Sequence, residues 1–286
     1  MIRRPLLLLT AIVVLGLVFA RAALPPRPPA ALGAFGHGPT VVLVHGLGSR
    51  AEHWLPVARD LARDHRVVLV ELPGHGIAAM PRGLTLDDAA LALDRALAEQ
   101  GDGPVVLVGH SVGGLVAAAE ALRAPRRVRA LVLVETALRP QLDGADRGAL
   151  LASLEKDYRG TLRASYESFG RDSAQGAALY AEAVQLDSTA MKSWIRLAVS
   201  ADLSHAITGL KIPLLVVLSS RSWPGNESWA ACGDTLGYRG VPDVTTMRVE
   251  NTGHFVMLDR PSLLAGAIRR FAAQGSPPAF AALFGF

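Results

Sequence analysis

The chain has 286 residues, of which 50% are hydrophobic, 19% charged and 6% aromatic, and its formal net charge is +4. That balance excludes a disordered or collagen-like chain, and so small a basic excess without a recognition motif gives no footing for nucleic-acid binding. A single cysteine, Cys232, excludes an intrachain disulfide framework, and no Cys/His spacing suited to a metal is present.

Residues 1–22 read as a targeting segment. Arg3 and Arg4 precede an apolar run from Pro5 to Ala20, and Ala20-Arg21-Ala22 is a small-x-small pattern suited to cleavage before Ala23. The run is short for a membrane span, which needs about 20 residues. The expectation is an exported protein, periplasmic or extracellular; the alternative is a signal peptide left uncleaved as an N-terminal membrane anchor, with Arg21 snorkelling. Residues 23–37 form a spacer, in which Leu24-Pro25-Pro26-Arg27-Pro28-Pro29 is extended and semi-rigid.

From residue 38 to 286 the pattern is that of one domain. Val41–Val44, Val67–Val70, Val105–Val108, Leu131–Val134 and Leu214–Val217 are continuous apolar runs, as strands buried on both faces are, and Val244–Val249 is a weaker sixth. Helical stretches separate them: Ala51–Asp64, Leu86–Gln100, Ser111–Arg123 and Pro261–Ala273. Thr85 is the expected N-cap of the second, with Asp87 and Asp88 in its first turn. Alternation at this spacing predicts βαβ units in a mostly parallel sheet flanked by helices. Residues 138–210 carry no strand signal and read as a helical lid over the carboxyl edge of the sheet, where open α/β sheets hold ligands. The basic run Arg126-Arg127-Val128-Arg129 is solvated charge between a helix and a strand.

Gly109-His110-Ser111-Val112-Gly113 stands directly between a buried strand and a helix. This is a G-x-S-x-G elbow in the context that gives it meaning: a turn too tight for flanking side chains, which lifts the Ser111 hydroxyl above the sheet. The Val112 N–H then lies at a helix N-terminus, facing a developing oxyanion. His45-Gly46-Leu47-Gly48 ends the first strand of the runs above, and the Leu47 N–H is the second expected oxyanion donor, with His45 bracing its loop. A serine hydroxyl needs an imidazole to take its proton. His254, in Gly253-His254-Phe255 on the loop after the last strand, is the expected base. His75 is read as a structural loop residue, and His37, His53, His65 and His205 have no supporting context.

The ordered set His45-Gly46, Leu72-Pro73-Gly74-His75-Gly76, Gly109–Gly114, Leu210-Lys211-Ile212-Pro213 and Gly253-His254-Phe255 resembles the α/β-hydrolase family over nearly the whole chain from about Gly38 to Phe271. The nearest likeness is to lid-containing serine esterases and carbon–carbon bond hydrolases. The resemblance implies the α/β-hydrolase fold with a helical cap, a catalytic triad and no cofactor or metal. In most relatives the triad acid is an Asp just after the strand that begins here at Pro213, and by resemblance Ser222 stands in that place. The expected replacement is Glu135, a carboxylate closing the apolar strand Val128–Val134, which if buried must be paired or functional. That strand also resembles the acid-bearing strand of some haloalkane dehalogenases, whose nucleophile is Asp, so Ser111 argues against their chemistry. Glu227, Asp234 and a Ser–His dyad stay open as alternatives.

The expected function is a carboxylic-ester hydrolase acting through an acyl-enzyme on Ser111, with a small hydrophobic ester-like substrate as partner. Carbon–carbon, thioester or amide cleavage, or acyl transfer, by the same residues is the alternative. A non-catalytic binding protein on the same scaffold is the third reading.

Overall fold

The structure is a computed structural model that describes residues 31–81, 83–101 and 103–274. The expected targeting segment, residues 1–22, and the run Leu24–Pro29 lie outside these. Among the described residues no helix is long and apolar enough to cross a membrane.

The five apolar runs and the weaker sixth all form strands: β2 (Thr40–Val44), β3 (Arg66–Val70), β4 (Val105–His110), β5 (Val128–Val134), β6 (Leu214–Ser219) and β7 (Val244–Val249). All six are parallel, and with an edge strand β1 (Ala31–Phe35) the order across the sheet is β1-β3-β2-β4-β5-β6-β7. The residues themselves give no sign of the first strand, although the family resemblance implies strands ahead of the His-Gly loop, abbreviated here for want of room before Val41. β1, inside the stretch expected to be spacer, lies antiparallel on β3 at the sheet edge. Its sequence, ALGAF, has neither alternation nor a β-branched run, so its state is set by pairing with β3 rather than by local preference.

Alternate residues of each strand feed two separate cores. Val41, Leu43, Val106, Val108, Val132 and Val217 pack on one face, against α1 (Leu55–Leu61) and α10 (Pro261–Gln274). Val42, Val44, Leu107, Leu131, Leu133 and Val216 pack on the other, against α2 (Leu86–Ala98) and α3 (Val112–Arg123). Sheet strands covered on both sides by helices have no solvent face, hence their continuous apolar text. Thr85 caps α2 in a reciprocal box with Asp88. The stretch Ala51–Asp64, expected as one helix, is instead a 3-10 turn (Ala51–Trp54) followed by α1. Pro56 has no N–H to donate backwards, so it can only sit in the first turn of a new α-helix.

α3 is buried almost all round, and with it Glu120, whose side chain is fully inaccessible. One carboxylate oxygen meets Arg123, while Oε1 has no partner. Burial pushes its carboxyl up to about 7, Arg123 pulling it down and Asp94 pushing it further up. A folded-state value above the unfolded one means that the native chain holds the extra proton between pH 4.5 and 7. Stability from this group is therefore present at low pH and lost as pH rises through that window. Urea unfolding should show Glu120→Gln removing a fall of about 2 kcal/mol between pH 5 and pH 8, discounted for the solvent-screened partners. An unchanged slope in the variant would refute this.

Within residues 138–210 lie α4 (Gly144–Lys156), α5 (Tyr158–Phe169), α6 (Ser173–Ala183), α7 (Ser188–Ala198) and a second 3-10 turn (Ala206–Gly209), with no strand. An aspartate caps each α-helix: Asp143, Asp157, Asp172 and Asp187 accept from backbone N–H groups at 2.8–2.9 Å. Two helices follow β6 before α10: α8 (Trp229–Leu236) and the single turn α9 (Val256–Asp259).

Candidate active site

Ser111, Glu135, His254 and the Leu47 and Val112 backbones follow the carboxyl ends of strands β4, β5, β7, β2 and β4 respectively. Ser111 follows β4 at φ 53° and ψ −124°, a strained backbone for a non-glycine residue. The neighbouring structure enforces it. A Cβ on Gly113 would stand 2.1 Å from the His45 carbonyl oxygen, and one on Gly109 2.5 Å from that of Gly113, so neither position admits a side chain. The Ser111 N–H donates to Val134 O at 2.9 Å, tying the elbow to β5. Val112 opens α3, so its N–H has no acceptor within the helix.

Glu135 follows β5, also at positive φ (51°), and is 6% exposed. Its Oε2 accepts from His254 Nδ1 at 3.1 Å and from Ser222 Oγ at 2.7 Å, and its Oε1 accepts a short bond from the Ser219 N–H. A carboxylate only accepts, so Nδ1 carries the proton of this bond and Nε2 takes no part in it. Sequence and structure thus bring Glu135 and His254 together, and Ser111 shares a cavity with His254. Of the alternatives, Asp234 pairs with Arg239 at the surface. Glu227 lines a second cavity of about 320 Å³ that His254 also touches, but Nδ1 is bonded to Glu135.

The first cavity, about 160 Å³, has Ser111, His254, Leu47 and Val112 in its lining, and its remaining wall is mainly apolar lid. Behind Leu47 two buried imidazoles brace the loop. His45 donates from Nδ1 to Gly46 O at 2.8 Å and accepts the Leu72 N–H at Nε2, 3.1 Å. His75 accepts the Gly48 N–H at 3.0 Å and donates to Pro73 O at 3.3 Å. Each therefore has one donor and one acceptor nitrogen in use, as a neutral imidazole does. Burial holds His45 well below its ordinary value, with His75 adding to the effect, and holds His75 down to about 4. His110 is likewise held low, by burial first and the nearby His254 second, and its Nε2 donates to His254 O at 2.9 Å. Cys232 is buried, and burial pushes its thiol up to about 11, so it has no thiolate character.

In this loop system Glu71 went unremarked in the sequence, and His53 had no supporting context there. Glu71 closes β3, is 1% exposed and accepts the Ala51 N–H at 2.8 Å. A carboxylate ending an apolar strand is the same signal that marks Glu135. His53 bonds Ser49 Oγ through Nδ1 (2.7 Å) and Glu182 of α6 through Nε2 (2.8 Å), and nothing local announces that partner 129 residues away.

The lid is fastened to the core at several points. His254 N–H donates to Phe169 O at 2.9 Å, and the Phe169 ring stacks on the His254 imidazole at 4.8 Å. Buried Asp259 accepts from Gly253 N–H (2.8 Å), Arg171 (3.0 Å) and Gln175 (2.6 Å), joining the α5–α6 turn to the histidine loop. Tyr166 OH donates to Leu47 O at 2.7 Å, and Trp194 of α7 to Pro73 O at 2.7 Å. Among the described residues α4 differs: its side chains reach other elements by hydrogen bond only through Glu155, to Lys192 and Arg196 of α7.

A sequence model described as Alpha/beta hydrolase family matches residues 41–267. The chain belongs to the alpha/beta hydrolase family. It is an enzyme of that family, and the parallel sheet with flanking helices is that family's fold. The chain is 32% identical over 250 residues to the polyketide synthase ThaQ of Burkholderia thailandensis, a match that takes in 82% of this chain but only 12% of the synthase. It is 28% identical over 265 residues to a pimeloyl-(acyl-carrier protein) methyl ester esterase of Xanthomonas campestris pv. campestris, covering 85% of this chain and 98% of that one. Among solved structures, the esterase EaEST from Exiguobacterium antarcticum superposes with a TM-score of 0.74 at 17% identity, over 87% of this chain and 100% of that one, a likeness of fold.

Proposed function

We propose that this alpha/beta hydrolase is a carboxylic-ester hydrolase working through an acyl-enzyme on Ser111. The observation that carries the proposal is the buried Glu135 bonded to His254 Nδ1, with His254 and Ser111 lining one cavity. In this reading Ser111 Oγ attacks the acyl carbon as His254 Nε2 takes its proton, and Glu135 holds the imidazole's tautomer and stabilises its charged form. The Leu47 and Val112 N–H groups receive the oxyanion. His254 returns the proton to the departing alcohol, then takes one from the water that attacks the acyl carbon and gives it to Ser111 Oγ as the acid leaves. Similarity to a methyl ester esterase over nearly that protein's full length supports an ester rather than a carbon–carbon bond as the substrate.

The test is labelling with a fluorophosphonate, located by peptide mass spectrometry, beside hydrolysis of p-nitrophenyl butanoate. Expected is one adduct, on Ser111, and none in Ser111→Ala, with ester turnover lost in parallel. Wild-type protein that neither labels nor turns over ester would sink the proposal.

A further inference from the structure

We infer that the acyl half of the substrate is an uncharged, mostly linear chain of about six carbons, enclosed under the lid by α4, α5 and α7. This rests on the ester-hydrolase reading above and adds to it which half of the ester the lid encloses, its size and its charge.

The acyl group is the part that stays bonded to Ser111 after the alcohol leaves, so it must fit the cavity that Ser111 lines. Away from Ser111 the wall is built by Leu150 and Leu154 of α4, Leu162 and Phe169 of α5, Ile195 of α7 and Val199 just beyond it. The lid's polar atoms there are already engaged. Tyr166 OH donates to Leu47 O, and Ser165 Oγ donates to Thr161 O at 3.0 Å within its own helix. The nearby lid charges face elsewhere: Glu155 meets Lys192 and Arg196, and Arg163 lies over the Tyr180 ring, none of them lining the cavity. A carboxylate on the acyl chain would therefore lose its water and gain no donor from the lid, and the unpaired polar atom among the other lining residues, His110 Nδ1, is itself an acceptor.

Size sets the length. The cavity is about 160 Å³, and an apolar cavity of ~150 Å³ lined by Leu, Ile and Phe accommodates benzene, six carbons. An acetyl group leaves most of this wall dry and uncontacted. A palmitoyl chain cannot be enclosed without displacing the lid.

The test measures kcat/KM for p-nitrophenyl esters from acetate to palmitate. Expected is a rise of roughly threefold to fourfold per methylene up to hexanoate or octanoate, then a fall. An ester of the same length ending in a free carboxylate should be slower by ~100-fold or more. Leu154→Ala should move the optimum to longer chains. Should that core variant unfold, Ala198→Leu, which fills the cavity from the end of α7, should move the optimum to shorter ones. If no ester is turned over and Ser111 does not label, the ester-hydrolase reading itself fails. If esters are turned over but the rate is flat with acyl length, is greatest for palmitate, or tracks the alcohol length in a series of alkyl butanoates, that reading stands and the acyl-cavity inference is overturned.

Discussion

Replacing His254 by alanine is expected to lower kcat/KM for a nitrophenyl ester by roughly 10⁴- to 10⁶-fold while the protein stays folded. The proposed base is a fifth exposed in its side chain, so its loss opens no large buried cavity. Glu135 keeps two of its three donors, the Ser219 N–H and the Ser222 hydroxyl, and is not left as a bare buried charge. The effect should therefore fall on chemistry, because an unassisted serine hydroxyl is a poor nucleophile at neutral pH. Fluorophosphonate labelling of Ser111 should slow in step with ester turnover. A variant that keeps a tenth of wild-type activity, with unchanged melting temperature, would mean that another group takes the serine proton.

The second large effect is at Glu135, and it comes with a rescue. Glu135→Gln is expected to cost about 10²- to 10⁴-fold in kcat/KM, since a neutral amide neither fixes the Nδ1 proton nor stabilises the imidazolium. The Ser222 hydroxyl lies 2.7 Å from the same Glu135 oxygen that accepts from His254. A carboxylate introduced at 222 thus enters the acid's immediate surroundings from β6's side. The double variant Glu135→Gln, Ser222→Asp should recover at least tenfold of the lost activity. Ser222→Asp alone should do the opposite. Two carboxylates at that distance cannot both ionise freely, so one is driven to hold a proton and the His254 bond weakens. Steady-state kinetics of the three variants decide the matter: no recovery in the double variant would show that position 222 cannot serve as the acid's place in this chain.

The fold was legible where sequence text reports burial directly. β2 to β6 are apolar on both faces because both faces are covered, and the Gly-rich elbow is written in residues whose absent side chains make room for it. The juxtaposition of Glu135 with His254 was also anticipated, from the oddity of a carboxylate at the end of an apolar strand. The same oddity at Glu71 passed unread, because no chemical role called for an acid there. β1 was implied by the family resemblance but could not be placed from its own residues, since its order comes from the edge it pairs with. The break at Pro56 was readable in principle from the missing N–H. The link from His53 to Glu182 was not, because it depends on how the lid folds back over the loop after β2.

The fastening of the lid differs from helix to helix. The α5–α6 turn is bonded to His254's own backbone and stacked on its ring, so any swing there would break its contacts with the His254 loop. α6 and α7 are moored to the loops after β2 and β3 through His53 and Pro73. α4 has no such mooring among the described residues, and Leu154 is its one fully buried side chain. It is also the helix that carries Leu150 and Leu154 over the cavity. α4 is thus the part of the roof that rests on other lid helices rather than on the sheet's loops, held to α7 through Glu155, Lys192 and Arg196.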